Sequence, residues 1–310
     1  MSVLGKGGGI MNNRIKWYSI IGLATVMSIF GSIGFVAAET ELQPLELVFI
    51  RCVFGAFFLG CLWVVKGGPR NEKWSFNEGI KVLIGGVILV LNWIFLFLAF
   101  ENLPVTLTVS IYYLAPVVVL LLGSFFFREK LTRLSVLSIF LCFTGTIMIM
   151  GYDHSLSSFL SSGFLWALLA ALFYAILTLI GKSISSLSAY ATSFIQISIG
   201  MLLLSPFVHY DKFLHLSLTN WIAVFIMGIV HTGIVYLLFF ASIRHLSSSV
   251  TSALLFLDPA VAISLDMLMT NFRATPLQTF GLVLTYGGIG CVLLSPFLKT
   301  LIQRATIKEK

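Results

Sequence analysis

Charge is what this sequence has least of. Asp, Glu, Lys and Arg together make 10% of the 310 residues while hydrophobic types make 58%, whereas a soluble domain carries roughly a quarter charged residues. The shortage excludes a chain built for water. Cysteine is also scarce: Cys52, Cys61, Cys142 and Cys291 all fall in apolar stretches, where a thiol is a packing residue, so no disulfide framework is expected. No pair of Cys or His stands at zinc-ligand spacing, and Gly7-Gly8-Gly9 lacks the strand and helix that a phosphate-binding loop requires. The reading is therefore of a chain with no metal and no cofactor, whose glycine run is a loose tail. A Ser, His and Asp set at plausible depth is missing too, which argues against a membrane protease or transferase.

What is abundant is apolar length. The hydrophobic residues come in blocks of about twenty, enough for a helix to cross a hydrocarbon core about 30 Å thick. In lipid the backbone must satisfy its own hydrogen bonds, so these blocks imply helices. Windows of that length give spans near 17 to 38, 45 to 65, 82 to 100, 104 to 126, 134 to 151, 160 to 181, 188 to 208, 220 to 241, 248 to 269 and 278 to 297. The expected fold is all-α and integral to the membrane, with ten transmembrane helices. Arg14 and Lys16 ahead of an apolar stretch ending in Val36-Ala37-Ala38 also resemble a secretory signal. The stretch is long for a signal core, and it is kept as the first helix because removing it would break the pairing of halves.

The few basic residues are distributed with a bias. Lys6, Arg14 and Lys16, then Lys66, Arg70, Lys73 and Lys81, then Arg128, Lys130 and Arg133, then Lys182 and Arg244, and the terminal Lys299, Arg304, Lys308 and Lys310 all fall on one side of a ten-span chain. Only Lys212 and Arg273 fall on the other. Positive loops stay in the cytoplasm, so both termini are expected there, in a cell inner membrane. The net charge of +7 is spread over those loops, and it calls for lipid headgroups and no nucleic acid.

The chain also repeats itself. One offset lays Leu114-Ala115-Pro116 over Leu257-Asp258-Pro259, Thr108 over Thr251, Thr132 over Thr275 and Gly145 over Gly288. A slightly different offset lays Phe49-Ile50-Arg51 with Gly55 over Phe194-Ile195-Gln196 with Gly200. Five spans per half is an odd number, so the second half enters the membrane from the opposite side and the two are inverted repeats. The organisation read from this is a tail over 1–16, a five-helix repeat over 17–151, a second over 160–297 and a basic tail over 298–310. Inverted halves around a midplane site recur in secondary transporters.

The run Val105-Thr106-Leu107-Thr108-Val109-Ser110-Ile111-Tyr112-Tyr113-Leu114-Ala115-Pro116, continuing through Phe127-Arg128-Glu129-Lys130-Leu131-Thr132 to Gly145, resembles the signature region of the EamA-type family of the drug/metabolite transporter superfamily. Phe49-Ile50-Arg51 resembles that family's second helix. The turn departs from the pattern in reading Arg128-Glu129 where Gly is usual, and the second copy, Thr270-Asn271-Phe272-Arg273-Ala274-Thr275, has no glutamate. The resemblance implies ten helices, inverted five-helix halves, a central cavity and a small-molecule cargo. Members export amino acids and related metabolites, or carry vitamins and nucleotide-like compounds.

A charge at the bilayer centre is costly unless it meets a partner or a cavity. Asp258, before Pro259 in the ninth span, is therefore the leading candidate for substrate binding and ion coupling, with Thr251 expected on the same helical face. The competing reading is a protonated Asp that glues helices. His231 could form a proton-coupling pair with Asp258, or merely bridge two helices. Arg51 could snorkel, pair with Glu46 or Glu101, or attract a substrate carboxylate. Asn92 and Trp93, the stripe Thr106, Ser110 and Tyr113, and Tyr236 complete the expected binding surface, with Trp93 and Tyr236 equivalent under the repeat. The functional expectation is a secondary active carrier of small amphipathic, amino-acid-like metabolites, working in the export direction. A vitamin or nucleotide-like importer, a passive channel, an accessory subunit and a membrane enzyme remain as alternatives, and a homodimer is left open.

Overall fold

The computed structural model describes residues 4–103, 105–150, 162–270 and 272–308, with side chains described from 14 to 294 apart from 104–106, 151–161 and 271. Every long element is a helix: α1 (Leu4–Gly31), α2 (Ile33–Ala38), α3 (Pro44–Val65), α4 (Phe76–Asn102), α5 (Val105–Tyr112), α6 (Ala115–Phe126), α7 (Arg133–Met150), α8 (Ser162–Ser183), α9 (Ala189–Leu204), α10 (Leu218–Gly228), α11 (Val235–Ile243), α12 (Ser248–Leu255), α13 (Leu257–Met269) and α14 (Pro276–Lys308). Among the described residues nine stretches are long and apolar enough to cross a membrane, three of them running through a break as Leu107–Phe126, Leu218–Ile243 and Ser248–Met269. The expected first span, 17 to 38, lies on α1 and α2 and is not among the nine. α1 begins at Leu4, so the glycine run is helical where a loose tail was expected.

Starts are marked as sequence chemistry dictates. Ser75, Ser188, Ser217 and Ser247 each cap a helix by accepting a backbone N–H, and Pro44 occupies the first turn of α3, each serine cap contributing about 1 kcal/mol. Large apolar side chains such as Phe57, Phe76, Phe125 and Leu268 are turned outward, as lipid requires and water would penalise.

Four helices do not run through. α1 gives way to α2 at Ser32, α5 to α6 at Tyr113–Leu114, α12 to α13 at Phe256, and α10 passes into α11 through a π-helical turn, Ile229–Ile234. Pro116 and Pro259 explain two of the breaks, since neither can donate the backbone hydrogen bond that would continue the preceding helix. The break at Phe256 corrects one expectation: Thr251 is on α12 and Asp258 on α13, so a same-face argument that presumes one continuous helix fails for this pair.

α7 and α14 pack closely as a pair, α3 and α4 both pack on α9, α1 on α11 and α13, α8 on α4, α5 and α6, and α6 on α12. The α7–α14 contact is made by glycine. A Cβ on Gly145 would lie 2.5 Å from the Gly281 carbonyl oxygen and 2.9 Å from the Thr285 backbone nitrogen, atoms that cannot step aside without moving a helix.

One end of the bundle is tied by carboxylates across chain segments. Glu72 accepts from Trp63 Nε1 (2.8 Å) and from the backbone and hydroxyl of Ser188 (2.7 and 2.5 Å). Glu78 accepts from Lys81 (2.7 Å) and from the Ser185 and Ser186 backbones (2.8 and 3.1 Å). Glu129 accepts from Lys182 (2.5 Å) and from the Ser248 backbone N–H (2.7 Å), while Lys182 also donates to Ser248 Oγ (3.0 Å). At the other end Glu46 meets His209 (3.1 Å) and Asn220 donates to the Glu39 carbonyl (2.9 Å).

The α7–α14 seam generates a test. Gly145→Ala should destabilise the detergent-purified protein by about 2 kcal/mol through overpacking, whereas Gly290→Ala, which meets nothing within 4 Å, should be neutral. Thermal unfolding of the two variants side by side reads the difference; equal midpoints would contradict the packing account.

Candidate functional site

The helix breaks converge on a cavity of about 860 Å³, within the roughly 300–1,000 Å³ range of small-molecule sites. Its wall takes Phe30, Gly31, Ile33 and Phe35 from the α1–α2 region, Val48 and Arg51 from α3, Asn92, Trp93, Phe97 and Phe100 from α4, and Val109, Tyr112, Tyr113 and Pro116 from α5 and α6. Tyr174 of α8, Tyr236 of α11, and Asp258 and Asp266 of α13 complete it. The wall reaches exposed residues at Ala38 and Glu39, so the cavity opens at the end of the bundle away from the Glu72, Glu78 and Glu129 ties.

Of the residues expected from sequence, Arg51, Asn92, Trp93, Tyr113, Tyr236 and Asp258 come together on this one surface. Asp258 Oδ2 accepts from the Tyr113 hydroxyl at 2.9 Å, so α6's break and α13's first turn are joined at the cavity. Asn92 donates to the Ala170 carbonyl (2.7 Å) and exchanges contacts with the Tyr112 hydroxyl (3.2 and 3.4 Å). Trp93 and Tyr236 meet edge to face with ring centroids 6.4 Å apart, and Tyr112 stacks on Tyr174 at 5.4 Å. The aromatic wall is thus continuous across α4, α5, α8 and α11.

Arg51 is 7% exposed, and its guanidinium carbon stands 5.1 Å from the centre of the Trp93 ring. The cation–π contact recovers part of the cost of burial. Its Nε has no partner, and none of the ion pairs among the described residues uses it. The carboxylate that sequence proximity offered, Glu46, is instead engaged by His209. An arginine at depth that rests on an aromatic face and has no carboxylate partner among the described ion pairs can chemically accept an anion.

The other expected residues are elsewhere. His231 sits in the π-helical turn, buried behind the wall; its Nε2 is 3.1 Å from Ser32 Oγ and its Nδ1 has no partner. It makes no bond to Asp258, although Ser32 adjoins Gly31, where an added Cβ would lie 2.9 Å from the Asp258 carbonyl oxygen. Thr251 is fully buried with an unpartnered hydroxyl, away from the wall. Ser110 donates to Met150 Sδ at 3.2 Å instead of facing the cavity. The Thr106 side chain lies outside the described residues. Sequence reasoning missed Tyr112, Tyr174 and Phe30. Tyr112 had a signal, a second tyrosine beside Tyr113 where a helix breaks, but a lone tyrosine in the apolar run of α8 had none.

Comparison with known proteins agrees with this architecture. The model of the EamA-like transporter family matches twice, over residues 14–151 and 161–294. The uncharacterized transporter YxxF of Bacillus subtilis (strain 168) is 49% identical over 285 residues, covering 91% of this chain and 92% of its own. An uncharacterized transporter in the sor 3' region of Acidianus ambivalens is 26% identical over 217 residues, covering 62% and 83%. A solved crystal structure superposes with a TM-score of 0.76 over 89% of this chain and 97% of its own at 15% identity, a likeness of fold. An all-helical, multi-pass membrane protein with these relatives is a transporter, and the chain belongs to the EamA-like transporter family.

Proposed function

We propose that this chain is a secondary active carrier that exports small zwitterionic, amino-acid-like metabolites across the cytoplasmic membrane by alternating access. The observation that carries the reading is the pairing of opposite chemistries on one aromatic cavity. Arg51 offers a buried cation without a carboxylate partner, and Asp258, bonded to Tyr113, offers a carboxyl group on the facing wall. A solute with an ammonium and a carboxylate end satisfies both, and the aromatic rings receive its apolar part.

Ten helices in two inverted five-helix repeats, spanning 17–151 and 160–297, are part of this proposal, with α1 and α2 together as the tenth span. Three facts support it. The family model matches the two halves separately. The packing comes in equivalent pairs, α1 on α11 and α13 answering α8 on α4, α5 and α6, and α3 on α10 answering α9 on α4. Pro116 and Pro259 break equivalent helices. The tied end carries the connections rich in Lys and Arg, from Lys66 to Lys81, from Arg128 to Arg133, and at Lys182 and Arg244. That supports a cytoplasmic tied end and cytoplasmic termini, leaving the cavity open to the outside. Asp258 is the proposed proton site, and His231 is its proposed partner through the Gly31–Ser32 break. Beyond solute and lipid, a homodimer stays open as a partner.

In proteoliposomes offered a mixed pool of amino acids, vitamins and nucleosides, saturable movement of one class is expected, read by mass spectrometry with and without an imposed pH gradient. Arg51→Ala should raise the half-saturation concentration for carboxylate-bearing solutes by roughly tenfold or more, the worth of a charge-assisted hydrogen bond, and Arg51→Lys should recover only part of it. Asp258→Asn should weaken solute binding and abolish gradient-driven accumulation and its pH dependence. Unchanged accumulation in Asp258→Asn would remove the proton-site assignment.

A further inference from the structure

The buried polar groups that the cavity does not use point to a second wall. On α9, Ser193 and Gln196 are both fully buried, and the Ser193 hydroxyl and both amide atoms of Gln196 have no hydrogen-bond partner. Buried polar atoms are ordinarily satisfied, so three left open within one turn of a helix call for an explanation. Space is kept for the amide: a Cβ on Gly85 of α4 would collide with Gln196 Nε2.

The repeat supplies one. The offset that lays Phe49-Ile50-Arg51 over Phe194-Ile195-Gln196 also lays Val48 over Ser193. Val48 and Arg51 line the open cavity. Arg51 lies two turns in from the N-cap of α3, at the open end, and Gln196 two turns in from the N-cap of α9, Ser188, at the tied end. When inverted halves exchange conformations, each residue takes up the environment of its counterpart. We infer that Gln196 is the specificity-determining side chain of the opposite state, receiving the carboxylate end of the substrate when the bundle opens at the Glu129 end, with Ser193 beside it. This rests on the inverted-repeat carrier reading above. It also gives the two faces different affinities, while the gradients still set the direction of net movement: a neutral amide holds a carboxylate less tightly than a guanidinium, so the same solute is held less firmly at the Glu129 end than at the Glu39 end.

The experiment needs no identified substrate. Cys61 and Cys291 are replaced by Ala, the fully buried Cys52 and the buried Cys142 are kept, and Arg51→Cys or Gln196→Cys is introduced singly. A charged, membrane-impermeant methanethiosulfonate is then applied to right-side-out and inverted vesicles. In the otherwise intact protein Arg51→Cys should react from the Glu39 side and Gln196→Cys should be nearly inert. Adding Glu129→Gln or Glu78→Gln, which loosen the tied end, should raise the Gln196→Cys rate severalfold from the opposite side only and lower that of Arg51→Cys; Ser193→Cys repeats the test one turn away should Gln196→Cys express poorly. Reactive Arg51→Cys with α9 cysteines inert in both loosened variants would overturn the assignment and leave the cavity standing. An inert Arg51→Cys would take the carrier reading down with it.

Discussion

The structure depends on one constraint: a polar group inside hydrocarbon must find a partner within the protein. For the backbone the constraint is met by helices, whose hydrogen bonds close internally. Wherever a helix is interrupted, freed carbonyls and N–H groups need somewhere to go, so the interruptions cannot face lipid. Here the breaks at Ser32, Tyr113–Leu114 and Phe256 all border the cavity, and the π-helical turn lies directly behind its wall. The same constraint decides the side chains. Asp258 is bonded to Tyr113, Asn92 to Ala170 and Tyr112, and Arg51 rests on Trp93. A cavity in such a bundle is therefore the place where unfinished hydrogen bonding is allowed to collect.

How much of this was legible in the sequence follows from what produces each feature. Span positions came from bulk hydropathy, which is a sum over about twenty residues and tolerates local error, and the described residues hold nine helical stretches long and apolar enough to cross a membrane where nine of the ten were expected. Arg51, Asn92, Trp93, Tyr113, Tyr236 and Asp258, each carrying a charge, an amide or an aromatic ring at depth, were singled out by their cost in lipid, and they line one cavity. Ser110 and Thr251 were misread for a shared reason. A hydroxyl is small enough to be satisfied inside its own neighbourhood or to pack as an apolar group, so its presence on a helix says little about a cavity. Facing direction was the harder part. Periodicity assumes a straight helix, and one break at Phe256 rotates everything after it, which separated Thr251 from Asp258.

The ties at one end show how chain segments distant in sequence are made to close. Glu129 reaches the first backbone N–H of α12 and a lysine at the end of α8, and Glu72 and Glu78 do the same for the α8–α9 connection. Each carboxylate accepts hydrogen bonds from a helix N-terminus or from a cation, the two partners a negative charge binds most strongly at a membrane surface. Such contacts are individually modest, but they act together on the same two connections, so loosening one weakens the geometry that the others require.

Among the described residues the repeat places no equal device at the opposite end. The position equivalent to Glu129 is Phe272, in a stretch reading Thr270-Asn271-Phe272-Arg273, and a phenyl ring cannot accept from a helix N-terminus as a carboxylate does. Contacts at that end include Glu46 with His209, Asn220 with the Glu39 carbonyl, Gln278 with the Ile149 carbonyl and Ser162 with Asn102, and none of these four is made by a carboxylate to a helix N-terminus or a lysine. Two halves of related sequence would by themselves favour neither end. A carboxylate present in one half and absent from the equivalent position of the other breaks that balance, and the end that has it is the end that is closed. On the proposed carrier reading, the resting side of the transporter is thereby written in a single turn, and the substrate's own binding energy, shared between Arg51 and Asp258, is what must be set against it to turn the bundle over.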